Sequence, residues 1–389
     1  MSSYISSNNN RFYVAIEAAY GNAAAVTAQN RIPAVKLTAK QTLEKPARKD
    51  KTGTRTFPGD PSGLRPNTTF QLTTYMTAWD TQTQPPPHGP LFQACLGGAA
   101  ALWGGGTVSA ASSTTLTFTA PHGLQPGQAV TLGDEIRFVA AVVDQYNVVV
   151  NAPFTSALGA DTPAGATATY SPASEMPSVT LCDYWDPATA VQRVMPGMAV
   201  NKTLIKVNGD FQEFQFSGQS ADVIDSSSFT TGQGGLTQFP AEPAVGPFDY
   251  TIIPGHLGQV WLGAIPNQFL TVTAAEITLD NGVNLRATEY GSILPRAIAP
   301  GERTVTMNLS LYQIDDTQTQ ALYQAARQRS PMAAMLQLGT QQGQMFGVYL
   351  SSVIPEVPVY DDGQIRLQWT FSDNRAQGTV NDEIYVAFG

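Results

Sequence analysis

The chain has 389 residues, of which 42% are hydrophobic and 13% are charged, and its formal net charge is −9. The low charged fraction and the abundance of Gly, Pro, Thr and Gln favour strands and turns over long surface helices. No apolar run approaches the roughly 18 residues that a membrane helix needs, so we expect no membrane-spanning segment. The polar start Met1–Arg11 has no apolar core, so we expect no cleaved signal peptide.

The residue types that build metal and redox sites are scarce. Cys95 and Cys182 lie far apart in apolar surroundings, which predicts inert buried thiols. The histidines are His88, His122 and His256. We therefore predict no metal and no cofactor, and a pI near 4.8 argues against tight binding of nucleic-acid phosphates.

No arrangement of residues predicts catalysis. The doublets Asp315-Asp316 and Asp361-Asp362 flank regular elements, where helix capping and turn formation explain them. Gly218-Gln219-Ser220 lacks the second glycine of a nucleophile elbow, and His122 lies in a turn sequence. Because no set of residues can be assigned acid, base and nucleophile roles, we predict that the protein is not an enzyme.

The N-terminal half begins with two predicted strands and a helix. Val35 opens the first strand, and a long loop over 45–66 separates it from the second. In the second strand, Phe70 and Leu72 alternate with polar residues, which is typical of a half-buried strand. A short helix is predicted over 91–95, because the preceding Pro90 is tolerated in a first turn.

A segment rich in short strands then interrupts this half. It spans 104–172, and Gly-rich and Pro-rich stretches flank it. Its predicted strands are 116–119, 129–132, 136–143 and 146–151. We interpret it as a small all-β insert, since surface loops tolerate such insertions. Residues 225–267 are rich in Gly, Pro and aromatic side chains, and we interpret them as an ordered connector arm.

The C-terminal third contains the clearest strand pattern. A strand is predicted over 277–285, and after a long loop 304–311 alternates strictly between apolar and polar residues. The candidate N-caps of the next helix, which ends at Arg329, are Asp315, Asp316 and Thr317. Strands follow over 345–350 and 364–372. In the last strand, the residues predicted to face the core are Ile365, Leu367, Trp369 and Phe371.

The two halves repeat the same order of elements. The matching segments are 80–82 and 316–318, 91–95 and 322–326, and 209–221 and 363–376. We therefore predict a duplication. The predicted units are a first domain at 1–103 plus 173–224, the insert at 104–172, the connector at 225–267 and a second domain at 268–389.

The run from Arg11 to Gly21, RFYVAIEAAYG, resembles the opening of siphophage major tail tube proteins. The C-terminal module, with Glu289-Tyr290-Gly291 in its long loop and a closing strand before Asn381, resembles that family too. The resemblance covers most of the chain outside the insert. It implies a mainly β fold: two tail-tube-type β-sandwich or barrel domains, each with a short flanking helix, plus the insert.

The resemblance also implies a function. Tail tube proteins form rings that stack head to tail into a hollow tube, usually with six tube domains per ring. A duplicated chain would form a trimer with pseudo-sixfold symmetry, and a chain with one true tube domain would form a hexamer. The implied partners are the tape-measure protein, tail terminator and distal tail proteins, and passing double-stranded DNA. The implied location is the virion tail, assembled in the host cytoplasm.

Polar strand faces are the candidate lumen. The residues predicted to face it are Thr69, Gln71, Thr73, Gln212, Thr304, Thr306, Asn308, Ser310, Gln364, Arg366, Gln368 and Thr370. Arg366 is the one cation in this set, so such a wall would hold DNA weakly. Periodicity does not distinguish a lumen from an ordinary solvated outer face, and that alternative stays open.

The loop 45–65 carries a basic cluster. Its members are Lys45, Arg48, Lys49, Lys51, Arg55 and Arg65. We predict that they contact an acidic surface of the next ring, because complementary charge sets the register of stacking. The alternative is a mobile solvated loop.

A second hypothesis is a surface-exposed β-protein of the virion that binds a receptor or a carbohydrate. The aromatic residues that could form its groove are Trp79, Trp103, Trp185 and Trp261. Most of these tryptophans fall at strand ends or in apolar contexts, which favours packing in a core or an interface.

Overall fold

A computed structural model describes residues 4–79, 82–156, 158–246, 248–249, 251–363 and 365–389. It confirms a mainly β fold. The first strands are β1 (Asn10–Ile16), β2 (Arg31–Ile32), β3 (Ala34–Leu43), β4 (Pro66–Tyr75) and β5 (Ala101–Trp103). Helix α1 (Gly89–Leu96) lies between β4 and β5, and a 3-10 turn at Ala28–Asn30 precedes β2.

The middle of the chain contains eleven strands. They are β6 (Gly106–Ser112), β7 (Thr115–Phe118), β8 (Ala129–Leu132), β9 (Glu135–Val142), β10 (Asn147–Val150), β11 (Thr162–Gly165), β12 (Thr167–Tyr170), β13 (Val179–Trp185), β14 (Arg193–Val207), β15 (Glu213–Ser220) and β16 (Ile224–Asp225). A second 3-10 turn follows at Gln233–Gly235.

The last part contains helix α2 (Thr317–Gln328) and eleven strands. They are β17 (Gly258–Gly263), β18 (Asn267–Gln268), β19 (Val272–Asp280), β20 (Asn284–Leu285), β21 (Ile298–Ala299), β22 (Thr304–Tyr312), β23 (Met332–Leu338), β24 (Phe346–Ile354), β25 (Val359–Asp361), β26 (Gln368–Ala376) and β27 (Tyr385–Phe388).

The two halves share one order of strand pairing. In the first half, antiparallel neighbours run β1–β13–β14–β15–β4–β3. In the second half they run β17–β23–β24–β26–β22–β19. Helix α1 follows β4 as α2 follows β22, and β2 lies beside β1 as β18 lies beside β17. A duplication predicts such a shared order.

One seam joins the halves into a single sheet. The end of β14, Lys202–Val207, pairs with β19 over Ala275–Asp280. With β25 paired to β26, eight strands lie side by side in the order β3–β4–β15–β14–β19–β22–β26–β25. We call this the eight-stranded sheet.

The core lies on one face of the eight-stranded sheet. The side chains that alternate onto this face are buried, among them Phe70, Leu72, Phe214, Phe216, Met307, Leu309 and Phe371. The Phe92 ring of α1 lies 5.2 Å from the rings of both Phe214 and Phe346, so it packs against both halves. Burial of such a ring stabilises the fold by about 1.5–3 kcal/mol.

The helices begin and end where their sequences predict. Pro90 lies in the first turn of α1. Of the candidate caps, Asp316 is the N-cap of α2, and its carboxylate accepts a hydrogen bond from the Thr319 amide at 2.6 Å. Arg329 ends α2 in the left-handed conformation, with φ 52°.

The inserted segment forms a closed six-stranded barrel in the order β10–β7–β6–β11–β8–β9. It runs from Gly106 to Gly165 and encloses its own apolar core. The strand β12, which lies within the predicted insert 104–172, instead pairs with β5 and β27 of the surrounding sheet. All four residues of β12 are buried. This burial is consistent with a strand that has a neighbour on each side, and not with one at the rim of a small barrel.

A buried arginine attaches the barrel to the second half. Arg137 is fully buried, forms an ion pair with Glu135, and donates a hydrogen bond to the Gln259 side chain at 3.0 Å. Its guanidinium lies 4.9 Å from the Trp261 ring. Burial lowers the pKa of Arg137 to about 10. The Ile136 amide also donates to the Gln337 side chain at 3.0 Å.

Two further predictions of strands differ from the structure. The alternation predicts that Ile365 faces the core, but it is fully exposed, because β26 starts only at Gln368 and Ile365 precedes it. The strand β23 was not predicted. Its sequence MAAMLQL is buried along most of its length, so it shows no alternation.

Candidate assembly surface

The second face of the eight-stranded sheet is polar. Rows of side chains cross it from strand to strand, and one row contains Lys36, Thr73, Gln215, Leu204, Thr278, Thr306 and Arg375. The residues of the predicted lumen that lie on this polar face are Thr69, Gln71, Thr73, Thr304, Thr306, Asn308, Ser310, Gln368 and Thr370. The structure therefore brings polar residues from both halves onto one continuous surface.

Three predicted lumen residues lie elsewhere or are not described. Gln212 is fully buried, and its side-chain amide donates to the carbonyl oxygen of Gly255 at 3.0 Å, so its assignment to a lumen is wrong. Successive side chains of a strand point to opposite faces. Glu213, one residue later, lies on the polar face, so Gln212 lies on the core side. Arg366 precedes β26, and its guanidinium lies 5.3 Å from the Tyr312 ring. Gln364 lies outside the described residues.

The polar face carries more charge than the sequence predicted. Its lysines are Lys36, Lys40, Lys202 and Lys206. Acidic side chains on the same face are Glu213, Glu276, Asp280 and Asp361. Arg366 is the one cation in the predicted set, but the lysines of β3 and β14, which that set did not include, also lie on this face. The face is better described as charge-balanced.

Both outer strands of the eight-stranded sheet present an open edge. Among the described residues, β3 pairs only with β4, and β25 pairs only with β26. Apolar side chains lie exposed along them: Val35 is 46% exposed, Val359 68% and Tyr360 49%. Open strands of this kind readily accept another strand from a second chain.

The basic loop connects β3 to β4 at one end of the sheet. Two of its cations pair inside the loop, Arg48 with Asp50 at 2.7 Å and Lys45 with Asp60 at 3.5 Å. The hydrogen bond from Arg48 lowers the pKa of Asp50. The Arg65 guanidinium donates to the carbonyl oxygen of Glu289 at 3.0 Å, so this residue joins the long loops of the two halves.

Three of the loop cations, Lys49, Lys51 and Arg55, lie exposed and form no ion pair with any described residue. Acidic groups gather at the opposite end of the sheet. Because neighbouring strands run in opposite directions, the connections that follow β14, β22 and β25 lie at the end away from the basic loop. These connections contribute Asp210, Asp315, Asp316 and Asp362.

The model for the phage tail tube protein family matches residues 7–372 of this chain. The chain belongs to the phage tail tube protein family. A comparison with curated proteins found no match. As a tail tube protein, the chain is a structural component of the virion tail, and membership of the family implies self-assembly into a tube. The family match does not favour the receptor-binding or carbohydrate-binding alternative.

His88 and Cys95 of this tail tube protein are buried within the folded chain. His88 is fully buried, its Nε2 lies 2.8 Å from the Tyr75 carbonyl oxygen, and burial lowers its pKa to about 4. Burial also raises the pKa of the Cys95 thiol to about 11. Trp79 and Trp261 are buried, as packing in a core requires.

The described residues contain no group of three or more His, Cys, Asp or Glu side chains placed to hold a metal ion. No helix among them is long and apolar enough to cross a membrane.

Proposed function

We propose that three copies of this chain close into a ring with pseudo-sixfold symmetry, and that such rings stack into the tail tube of a siphophage. The observation that carries this proposal is the internal seam between β14 and β19, which joins two similar halves edge to edge. A ring repeats this junction between chains, since one chain has a free β25 edge and its neighbour has a free β3 edge. The shared strand order supports a duplication of the tube domain, with the barrel as an insert. Within the predicted connector arm 225–267, β17 and the start of β18 belong to the second half, so the connector is the part before β17.

The dimensions of such a ring suit the passage of DNA. Eight strands from each of three chains give a closed sheet of about 24 strands. With about 4.8 Å between strands and a tilt of about 40°, the backbone diameter is on the order of 48 Å. If the polar face lines this bore, its lysines are offset by carboxylates and the chain is acidic overall, so double-stranded DNA would pass without tight binding.

Charge at the two ends of the sheet supports head-to-tail stacking. The exposed cations Lys49, Lys51 and Arg55 lie at one end, and the acidic connections with Asp210, Asp315 and Asp362 lie at the other. Unlike ends that meet produce an open filament, and complementary charge fixes its polarity. The tape-measure, terminator and distal tail proteins and assembly in the host cytoplasm belong to the same proposal.

Electron microscopy of the purified chain tests the proposal. We expect tubes or rings with a central stain-filled channel, and cross-sections that show three barrels around six similar sheet units. Three chains per ring support the trimer, and six chains per ring support the hexamer instead. A small closed oligomer without a channel would contradict a tube-forming function.

A further inference from the structure

The internal seam has a defined charge pattern. On the β14 side, the charged residues of the polar face are Lys202 and Lys206. Directly opposite them on β19 are Asp280 and Glu276. Opposite charges that face each other across strands stabilise the pairing, and like charges destabilise it. This seam is therefore basic on its first-half strand and acidic on its second-half strand.

The counterpart of β14 in the second half is β24 continued by β25. Within the first half, Ile205 pairs with Phe214 and Lys206 with Glu213. In the second half, Tyr360 pairs with Trp369 and Asp361 with Gln368. These pairs are related by the same shift of 155 positions on both strands, since Ile205 corresponds to Tyr360 and Phe214 to Trp369. The free edge of β25 therefore corresponds to the edge of β14 that bonds to β19.

The counterpart of β19 in the first half is β3. β3 pairs with β4 as β19 pairs with β22, and each has a register shift at the same place, between Ala34 and Lys36 in β3 and between Val272 and Ala274 in β19. Ile277 therefore corresponds to Ala39. The free edge of β3 therefore corresponds to the edge of β19 that bonds to β14.

These correspondences transfer the register of the internal seam to a seam between two chains. Leu204 faces Thr278 across the internal seam, so Val359 of one chain would face Lys40 of the next. Asp361 would then face Thr38. Its diagonal neighbours would be Lys36 and Lys40, both within reach of a long side chain.

We propose that the seam between chains has the opposite charge polarity to the seam within a chain, and that this polarity favours contact of a β25 edge with a β3 edge over contact of two like edges. The proposal rests on the proposed ring and names its partner surface: the acidic β25 edge of one copy against the basic β3 edge of a second copy. If β25 met the β25 of another chain, Asp361 would lie near a second Asp361. If β3 met the β3 of another chain, lysines would lie near lysines.

Charge reversal tests this inference. Lys36→Glu/Lys40→Glu and Asp361→Lys each place like charges across the seam between chains. We expect each variant to stay folded by circular dichroism and thermal melting, with tube yield reduced at least tenfold. The chain that carries all three substitutions restores opposite charges and is expected to recover tubes. Gln145→Glu, in an exposed turn of the barrel, is the control for added negative charge and is expected to form tubes normally.

The outcomes separate this inference from the proposed function. If the wild-type chain forms no ring, the proposed function fails and the inference fails with it. If the wild-type chain forms tubes and both folded single-edge variants do so equally well, the inference alone is overturned. Failure of the combined variant to recover, while it remains folded, also overturns it.

Discussion

Lys206 of the first half and Glu276 of the second face each other across the seam that joins the two halves of the chain. The seam belongs to a continuous eight-stranded sheet, whose two outer edges are open in the described structure. One chain therefore contains a complete example of the junction that we expect between chains.

A cysteine pair tests the register of the seam between chains. Val359→Cys and Lys40→Cys place two thiols directly opposite each other, with Cβ atoms about 4.5–5.5 Å apart. We expect mild oxidation of assembled tubes to give covalently linked chains on a non-reducing gel. Both native cysteines are buried, so they should not contribute.

The matched control moves one thiol along the strand. Val359→Cys with Lys36→Cys displaces the pair by four residues, about 13 Å, and should not link. Equal linkage of the two pairs would show that the register is wrong.

Mixing two variants reports the number of chains in a ring. Lys36→Glu/Lys40→Glu makes both outer edges acidic, and Asp361→Lys makes both basic. The two kinds of chain attract each other, but three chains cannot alternate between two kinds, so one seam always has like charges. We expect the mixture to form fewer tubes than the chain with all three substitutions. Equal recovery would indicate an even number of chains per ring.

Reversal of the exposed loop cations is expected to block stacking. We predict that Lys49→Glu/Lys51→Glu/Arg55→Glu leaves rings that do not extend into tubes, because acidic groups would then face acidic groups between rings. Negative-stain images and sedimentation give the ratio of rings to tubes. Adding Asp210→Lys and Asp362→Lys at the opposite end should restore stacking. Tubes of normal length from the first variant would rule out this contact.

The buried His88 predicts a pH-dependent stability. Its pKa is lowered to about 4 by burial, against about 6.5 in an unfolded chain. The unfolded chain therefore binds a proton that the folded chain excludes, and stability falls as the pH drops from 6.5 towards 4. For His88 this loss is about 2 kcal/mol between pH 7 and pH 5.

Urea unfolding of the unassembled chain at both pH values measures this loss. His88→Gln does not titrate and should show a smaller difference between pH 7 and pH 5. His256→Gln, at an exposed position, should behave as the wild type does. An unchanged pH dependence in His88→Gln would assign the effect to other groups.

The sequence predicted which side chains of a strand face the core, but it did not predict which strands pair with each other. The alternation over Thr304–Tyr312 gave the correct buried and polar sides, because a half-buried strand imposes a period of two. Ile365 was misplaced because it precedes the strand whose alternation was extended to it, and Gln212 because it lies on the same side of its strand as the buried Phe214 and Phe216.

The charges of the polar face were missed for a different reason. Lys202 lies opposite Asp280, 78 positions along the chain, and alternation within one strand contains no information about its partner. The internal repeat relates β14 to β25 and β19 to β3, but it does not indicate that β14 and β19 pair with each other.

The barrel is inserted in the sequence of the first half, yet its Arg137 is held by Gln259 and Trp261 of the second. Flexing the protomer at its internal seam would pull a desolvated guanidinium away from these contacts. We therefore expect the two halves of the chain and the barrel to move as one rigid body. Curvature of a bent tail would then concentrate where separate chains meet.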